Sequence, residues 1–441
     1  MALTYITRTP SSAGNRKIFT FSGWIKRSKI GVGQQIIGQS TESSGNDYFR
    51  IIFNTDDQLR VFSSNGGMNK ITSMKFRDTS AWYNIVCAFD SSQSTASNRN
   101  RIYVNGVEQT SFATNNNVAL NTSFEFNITN ECTLGRNAYN NQNFFDGLMS
   151  HIHFIDGTQY NASAFGSVDS VTGEWQINTA PSVTYGNNGF FILKDSNSVT
   201  DQSGKNNNFS VGGSTLTATK DCPSNVFATW NPLVNNAGEM MLLSNGNTSC
   251  QSNAAQGNSW KLAASTLGMT SGKYYWEAKL VNTNNNLYHG VMGSNVFQAN
   301  ASNPMNATGF TGWNNGDGGE ILKDGNNTSA NYGSLSNNDI LGIACDVDNY
   351  TITIYKNGSA LVSNYALSTT GRDVLFPCSV AYNTNNTGIP QSSYNFGNGF
   401  FGTTAITTNS GNGYAGAEGA SKFNYAVPSG YSALSTKGLN Q

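Results

Sequence analysis

The sequence predicts an all-β chain, built as two antiparallel β-sandwich (jelly-roll) domains in tandem. Three observations support this prediction. Short apolar segments alternate with a period of two, which is the pattern of a strand with one buried face. No stretch carries a sustained apolar face of helical period, so long helices are not expected. Charged residues make up only 12% of the chain, whereas asparagine, serine, threonine and 46 glycines provide the residues that turns and strands prefer.

Two hairpin-like segments support the prediction, one in each half of the chain. In the second half, residues 339–358 read DILGIACDVDNYTITIYKNG, where Ile343, Cys345 and Val347 alternate with smaller or acidic residues. In the first half, residues 82–106 combine the strand pattern WYNIVCAFD with RIYVNG. Both segments end in Asn-Gly, which tolerates positive φ and closes tight turns. We therefore expect a buried strand hairpin in each domain.

Length and charge exclude several classes of protein. A chain of 441 residues corresponds to two or three domains. The net charge is −1 and no lysine–arginine block is longer than Lys26-Arg27, so we expect no nucleic-acid binding. No apolar run is long enough for a membrane span. The N-terminus lacks the charged start and apolar core of a secretory signal peptide, so we expect none.

The cysteine pattern favours free thiols. The six cysteines contain no C-x-x-C pair, so a zinc ribbon is not expected. Two of them, Cys87 and Cys345, occupy predicted buried faces, where cysteine acts as a small apolar side chain. We predict that all of them are reduced.

The first part of the chain carries strand patterns separated by polar turns. In order, these segments are FTFSGWIKRSKIG, DYFRIIFNTDDQLRVF, WYNIVCAFD, NRIYVNGVE, LGR and FFDGLMSHIHFIDG. Together they resemble a laminin-G-like, concanavalin A-type jelly roll over most of residues 1–158. The resemblance implies a fold that hosts both lectins and glucanases, so it does not decide the activity.

Residues 159–239 are less regular, and we predict a strand extension followed by a linker. We expect Phe190, Phe191 and Leu193 to add a strand to the first sandwich. The following stretch CPSNVFATWNPL contains Pro223 and Pro232, which oppose helix formation and favour an extended chain.

The second domain is expected over residues 240–400, with a C-terminal tail over 401–441. Its segments are, in order, SGKYYWEAKL, HGVMG, GW, YGSLSNNDILGIACDVDNYTITIYKNG, LFPCSVAY and SYNFGN. Together they resemble a SPRY domain. The resemblance implies that Tyr275, Trp276 and Glu277, together with Asp346 and Asp348, belong to the framework of the domain.

Two further stretches resemble proteins of tailed phages. GEWQIN, NGFFILKDS and GKNNNF are similar to the segment that joins two such domains in phage-encoded proteins. The ending FNYAVPSGYSALSTKGL is similar to the ending of the same proteins. The resemblance implies a virion location, with synthesis in the host cytoplasm.

The sequence offers no convincing catalytic set. A retaining glycosidase needs two carboxylates about 5 Å apart, and a Glu-x-Asp-x-x-Glu strand pattern is absent. Asp56-Asp57 lies at a predicted turn and Asp346 with Asp348 at a strand end, so we expect structural roles. There is no Gly-x-Ser-x-Gly segment. We therefore predict that the protein is not an enzyme and that it needs no cofactor.

Two metal hypotheses are weaker alternatives. His151 and His153 are two residues apart, so on a regular strand they share a face and could bind a metal together; the alternative is a pair of satisfied strand histidines. Asp90, Asp146 and Asp156 lie near loops and could hold calcium, although no twelve-residue calcium loop is present.

Binding surfaces remain as the expected functional sites. SPRY domains bind partners through loops at one end of the sandwich, and aromatic rings beside amides or acids can stack on sugars and read hydroxyls. The residues predicted to bind ligand are Tyr288, Trp313, Asn314, Asp317 and Tyr332. For Trp313 and Tyr332, burial in the core is the alternative.

These observations predict a phage virion structural protein, displayed as a fibre, knob or capsid decoration. It would act as a non-catalytic adhesin for host-surface glycans, as a homo-oligomer among other virion proteins, because weak sites gain strength when multiplied. Two alternatives stay open. One is a glycan hydrolase with carboxylates from separate loops, and the other is a SPRY protein-interaction adaptor.

Overall fold

The computed structural model of the protein describes residues 3–40, 47–194, 196–234, 240–252, 259–283, 287–298, 303–314, 318–328, 330–382, 389–407 and 413–440. The chain forms two compact units. Unit 1 comprises residues 1–218 with 222–224, and unit 2 comprises residues 219–221 with 225–441. Both are built from antiparallel sheets, so the predicted all-β fold of two sandwiches is confirmed. Within the described residues, no helix is long and apolar enough to cross a membrane.

Unit 1 consists of short strands joined by turns. Its strands are β1 (Tyr5–Arg8), β2 (Ile18–Arg27), β3 (Gln34–Ser40), β4 (Tyr48–Phe53), β5 (Gln58–Ser63), β6 (Asn69–Lys75), β7 (Tyr83–Asp90), β8 (Asn100–Val104), β9 (Val107–Glu108), β10 (Phe112–Asn116), β11 (Cys132–Leu134), β12 (Gly147–Asp156), β13 (Gly166–Val168), β14 (Trp175–Ile177), β15 (Phe190–Ile192) and β16 (Ser210–Gly212). One sheet has the order β10-β6-β5-β4-β3-β11-β1-β16, and the other has the order β15-β12-β2-β7-β8-β9. The strand predicted around Phe190 is confirmed, since β15 pairs with β12.

The core of unit 1 lies between these two sheets. Phe19 of β2 and Phe49 of β4 come from different sheets, and their ring centres are 5.6 Å apart. Phe89 of β7 joins them at 4.7 Å from Phe19. Each such ring stabilises the fold by roughly 1.5–3 kcal/mol relative to an exposed position. The apolar residues that alternate in the sequence therefore form the inner face of each sheet.

Strand β12 departs from the predicted alternation. Its pairing with β2 shifts register between Ser150 and His153, and His151 adopts a positive φ of 48°. The bulge inserts an extra residue, so Met149 on one side and Ile152 on the other both pack on the core. This strand is therefore not the regular strand on which His151 and His153 would share a face.

Unit 2 is a second sandwich of the same kind. Its strands are β17 (Leu242–Ser244), β18 (Ser249–Gln251), β19 (Trp260–Ala264), β20 (Lys273–Asn282), β21 (Leu287–Gly293), β22 (Phe310–Asn314), β23 (Ile321–Lys323), β24 (Asn326–Asn327), β25 (Ile340–Asp346), β26 (Thr351–Lys356), β27 (Ser359–Ala366), β28 (Leu375–Tyr382), β29 (Gln391–Asn395), β30 (Phe400–Phe401), β31 (Thr404–Ala405) and β32 (Ser432–Ala433), with short helices α1 (Ser294–Gln298) and α2 (Thr436–Leu439). One sheet runs β17-β18-β29-β20-β25-β26-β27, with β32 beside β20, and the other runs β19-β28-β21-β22-β23-β24.

The predicted hairpin of unit 2 is confirmed as β25 and β26. Ile343, Cys345 and Val347 are buried in the core between the sheets. Asn357 and Gly358 close the far end of β26 with φ values of 48° and 83°, as an Asn-Gly turn requires. The Asn357 side-chain oxygen also accepts the backbone N–H of Ile340 at 2.9 Å, which ties the turn to the start of β25.

The C-terminal segment is part of unit 2. Strand β32 pairs in parallel with β20, and the Glu277 carboxylate of β20 accepts the backbone N–H groups of Asn424 and Tyr425 at 2.9 and 2.8 Å. The same carboxylate accepts the Asn395 amide at 3.2 Å and the Tyr275 hydroxyl at 3.3 Å. Burial raises the pKa of Glu277 to about 7, although the N–H donors oppose the shift. Glu277 thus has the framework role that the resemblance implies.

Replacing Glu277 by alanine should destabilise unit 2 by at least about 2 kcal/mol, because buried backbone N–H groups lose their acceptor. Urea unfolding of the full chain measures the change. As a control, Asp373→Ala alters an exposed carboxylate of the same unit and should shift the stability by no more than about 0.5 kcal/mol. A Glu277→Ala protein as stable as this control would contradict the framework role.

Candidate binding surfaces

The ligand-binding residues predicted in unit 2 lie on strands and not in exposed loops. Tyr288 belongs to β21 and is 6% exposed, while Trp313 and Asn314 belong to β22 and are each 1% exposed. The prediction that they sit in loops is wrong. Glycine is needed inside this sheet: Gly290 faces Gly312 across β21 and β22, and a Cβ on Gly290 would collide with the backbone of β22.

The predicted residues do not form one surface. Trp313 points into the core between the sheets, whereas Tyr288 joins a separate apolar cluster on the outer side of its sheet. Tyr332 is half-buried and packs against the same core as Trp313. Asp317 lies outside the described residues. Their ligand-binding role stays a prediction, without the exposed rings on which it was based.

The acids considered for catalysis are held by internal partners. Asp57, between β4 and β5, forms ion pairs with Arg27 at 3.0 Å and with Arg77 at 3.1 Å. Burial acts to raise the pKa of Asp57, but these partners and a backbone N–H bring it below its usual value. Asp346 pairs with Lys273 at 3.0 Å, and Asp348 accepts the N–H of Gly272 at 2.8 Å. These contacts favour the structural role predicted for these acids.

Two of the three carboxylates considered for calcium, Asp156 and Asp90, face hydrogen-bond donors. Asp156 accepts the Asn15 N–H and the Asn127 amide, both at 2.7 Å, and the Asn188 N–H at 3.1 Å. Asp90 accepts the Ser92 N–H at 3.0 Å. Donors therefore occupy positions that a calcium ion would need. Across the described ranges, no three histidine, cysteine or acidic side chains are grouped to hold a metal.

The two strand histidines have different hydrogen-bond partners. The His151 Nδ1 is 2.7 Å from the Ser150 hydroxyl, while the His153 Nδ1 is 2.9 Å from the Tyr185 hydroxyl. His153 also stacks on Phe191 with ring centres 4.0 Å apart. Burial holds the pKa of His153 well below its usual value. These contacts favour satisfied structural histidines.

A buried polar cluster lies between the sheets of unit 2. The His289 Nδ1 contacts the Tyr394 hydroxyl, and the Nε2 atom has no hydrogen-bond partner among the described residues. Burial lowers the pKa of His289 to about 3. Nearby, burial raises the pKa of the Cys250 thiol to about 12, so this thiol stays protonated and unreactive at neutral pH.

Replacing His289 by phenylalanine should reduce the loss of stability at acidic pH. An unfolded histidine binds a proton near pH 6.5, whereas the folded His289 stays neutral until about pH 3. The contribution of His289 to the free energy of unfolding is therefore complete above pH 6.5. It falls as the pH drops, by about 2 kcal/mol at pH 5. Urea unfolding of both proteins at pH 8, 7 and 5 tests this. Between pH 8 and pH 7 both proteins should change in stability by the same amount. An equal loss of stability in both proteins at pH 5 would contradict the prediction.

The outer face of the first sheet of unit 1 carries an alternative surface, which we call the arginine face. It consists of Tyr48 and Arg50 on β4, Arg60 and Phe62 on β5, and the adjacent Tyr139. The neighbouring strand residues, such as Phe49 and Val61, fill the core. Because side chains alternate along a strand, the arginine-face residues point away from it.

Stacking holds the arginine face together. The Arg50 guanidinium carbon lies 4.5 Å from the centre of the Tyr48 ring and 6.0 Å from that of Phe62. The Arg60 guanidinium lies 4.1 Å from the same Phe62 ring. The two rings are 5.3 Å apart. Sequence reasoning identified these strands but missed the surface, although alternating aromatic and arginine residues at the outward positions were a visible signal.

Each of the two sandwiches contains a region that matches a protein-family model. Residues 4–164 match the model of the concanavalin A-like lectin/glucanases superfamily, and residues 273–391 match the model of the SPRY domain. The chain carries a concanavalin A-like domain and a SPRY domain. No curated protein matches the chain significantly.

Three solved structures show similarity to parts of the chain. The SPRY domain of human HERC1 is 19% identical, covering 35% of this chain and 91% of that one, with a TM-score of 0.28. A putative carbohydrate binding protein from Bacteroides ovatus is 15% identical, covering 49% and 57%, with a TM-score of 0.35. A SAP-like pentraxin from Limulus polyphemus is 12% identical, covering 44% and 90%, with a TM-score of 0.29.

Proposed function

We propose that this protein is a non-catalytic adhesin of a tailed-phage particle that binds glycans on the host surface. The observation that carries the proposal is the arginine face, where aromatic and cationic side chains lie on the outer side of a concanavalin A-like sandwich. Aromatic rings and guanidinium groups of this kind supply the stacking and hydrogen bonding by which proteins hold sugars.

The absence of turnover is supported by how the acids are used. A glycosidase needs one carboxyl group free to donate a proton and a second free to attack or to activate water. Asp57, Asp156 and Asp346 are instead engaged by arginine, amide, lysine or backbone donors. Glu277, whose raised pKa would suit an acid catalyst, is buried beneath the C-terminal segment of unit 2.

The choice of glycan as ligand is supported by the family of the first domain. Its description covers lectins and glucanases, both of which handle carbohydrate. The virion location rests on the resemblance of residues 159–235 and of the C-terminal segment to tailed-phage proteins. A particle would display many copies, as a fibre, knob or capsid decoration, and multivalency would convert weak single sites into firm attachment.

The adhesin proposal predicts binding without turnover. The full chain, incubated with an array of bacterial surface oligosaccharides, should retain some of them and release no new reducing ends. Reducing-end assays over a day, together with the array signal, measure both properties. Release of reducing ends that is lost when an acid of the chain is replaced by its amide would instead establish a hydrolase.

The virion location predicts that the protein is a component of assembled particles. Mass spectrometry of density-purified particles from the phage that encodes the chain should detect it in multiple copies. Its absence from particles, combined with co-purification with a soluble intracellular protein, would favour the SPRY adaptor function. A non-structural protein of the same phage serves as the contamination control.

A further inference from the structure

Arg50 differs from every other arginine of the chain in its hydrogen bonding. The others each donate to a carboxylate, amide or backbone oxygen. They are Arg8, Arg16, Arg27, Arg60, Arg77, Arg99, Arg101, Arg136 and Arg372. Arg50 forms no hydrogen bond or ion pair with any described residue, and its cation contacts the Tyr48 and Phe62 rings.

The surroundings of Arg50 make its positive charge unfavourable. The side chain is half-buried, and burial lowers the pKa of Arg50 below its usual value. Arg60 adds a like charge that lowers the pKa further, while the Tyr48 hydroxyl acts in the opposite direction. Arg60 itself donates to the Asn69 amide oxygen at 2.9 Å and pairs with no described carboxylate. Two cations therefore share one aromatic platform, and neither pairs with a carboxylate of the described residues.

This geometry suits an anion that arrives from solution. A guanidinium that lies over an aromatic ring and makes no internal hydrogen bond keeps N–H donors available, and a pair of these donors matches the two oxygens of a carboxylate. Stacking on Tyr48 and Phe62 fixes the orientation of Arg50 in advance, which reduces the entropy lost on binding. The site therefore needs a ligand with at least one carboxylate-like group.

The position of Tyr139 indicates a second property of the ligand, in addition to its carboxylate-like group. This side chain is 43% exposed and lies close enough to Arg50 to contribute to its electrostatics. An exposed ring beside an anion site can pack against the apolar face of a sugar. Base stacking is less favoured, because guanidinium groups already cover the Tyr48 and Phe62 rings and the chain has a net charge of −1.

We propose that the arginine face binds a carboxylate-bearing sugar of an acidic polysaccharide, such as a uronic or sialic acid, with Arg50 paired to the carboxylate and Tyr139 packed on the sugar ring. This inference rests on the proposed adhesion to glycans and assigns the class of glycan that the first sandwich takes.

Calorimetric titration of the full chain tests the assignment. The probes are oligogalacturonate, oligoglucuronate and sialyllactose, each compared with its carboxyl-reduced, neutral counterpart. At least one acidic probe should bind about tenfold or more tightly than its neutral counterpart, as expected for a lost charge-assisted hydrogen bond. Raising the salt concentration should weaken this binding.

Two variants assign the effect to Arg50. Arg50→Gln should reduce the affinity for the acidic probe about tenfold or more, to the level of the neutral probe. Arg50→Lys keeps the charge but lacks the planar pair of donors, so a smaller loss is expected. Thermal unfolding of both variants verifies that unit 1 is folded.

Arg101→Gln is a matched control. The Arg101 guanidinium also lies over a tyrosine ring, at 5.8 Å from the centre of Tyr103, but it donates to both oxygens of Glu108 at 2.9 and 2.7 Å. Because its donors are already satisfied by an internal carboxylate, the affinity for the acidic probe should remain unchanged in this variant.

The possible outcomes separate this inference from the proposed function. Binding of neutral glycans that Arg50→Gln leaves intact would overturn the acidic-sugar assignment and leave the adhesin standing. Failure to bind any glycan, acidic or neutral, would overturn both. Arg50-dependent binding of inorganic phosphate, a sulfated polysaccharide or single-stranded DNA, without binding of a carboxylated sugar, would overturn the assignment in favour of that anion.

Discussion

Burial of large side chains between two sheets is the constraint on which the rest of each unit depends. In unit 1, Phe19 and Phe49 meet from opposite sheets, and in unit 2, Trp276 and Trp313 share one core. A strand that points one residue inward must point its neighbours outward. Burying Phe49 therefore places Tyr48 and Arg50 on the surface. The outward direction of the arginine-face residues is therefore a consequence of core packing, because their neighbours on the same strand point inward.

Both units contain a hairpin turn formed by an Asn-Gly pair. Asn105 and Gly106 end β8 with φ values of 46° and 79°, close to those of Asn357 and Gly358. The Asn105 side chain accepts the N–H of Asn84 at 2.8 Å, as Asn357 does for the first residue of β25. In both hairpins the asparagine supplies the left-handed backbone and also fastens the turn to the strand beside it. This double role explains why an Asn-Gly pair was so informative in the sequence.

The parts that sequence reasoning predicted are those set by local chemistry. Alternation, hairpin turns and the framework position of Glu277 follow from neighbouring residues or from a family pattern. The positions of Tyr288 and Trp313 do not. The exposure of these two side chains depends on which distant strands pair with β21 and β22. The close approach of the two backbones also requires glycine inside this sheet. The lack of a hydrogen-bond partner for Arg50 among the described residues likewise cannot be predicted from sequence, because it depends on every side chain within reach.

The parallel pairing of β32 with β20 also bears on how unit 2 is made. Residues 274 and 275 find their neighbours at 432 and 433, so this contact closes a loop of more than one hundred and fifty residues. During translation, Glu277 emerges long before Asn424 and Tyr425 exist to donate to it. The Glu277 carboxylate therefore lacks these two donors until residues 424 and 425 have been synthesised. Synthesis order thus makes this contact one of the last that unit 2 can form.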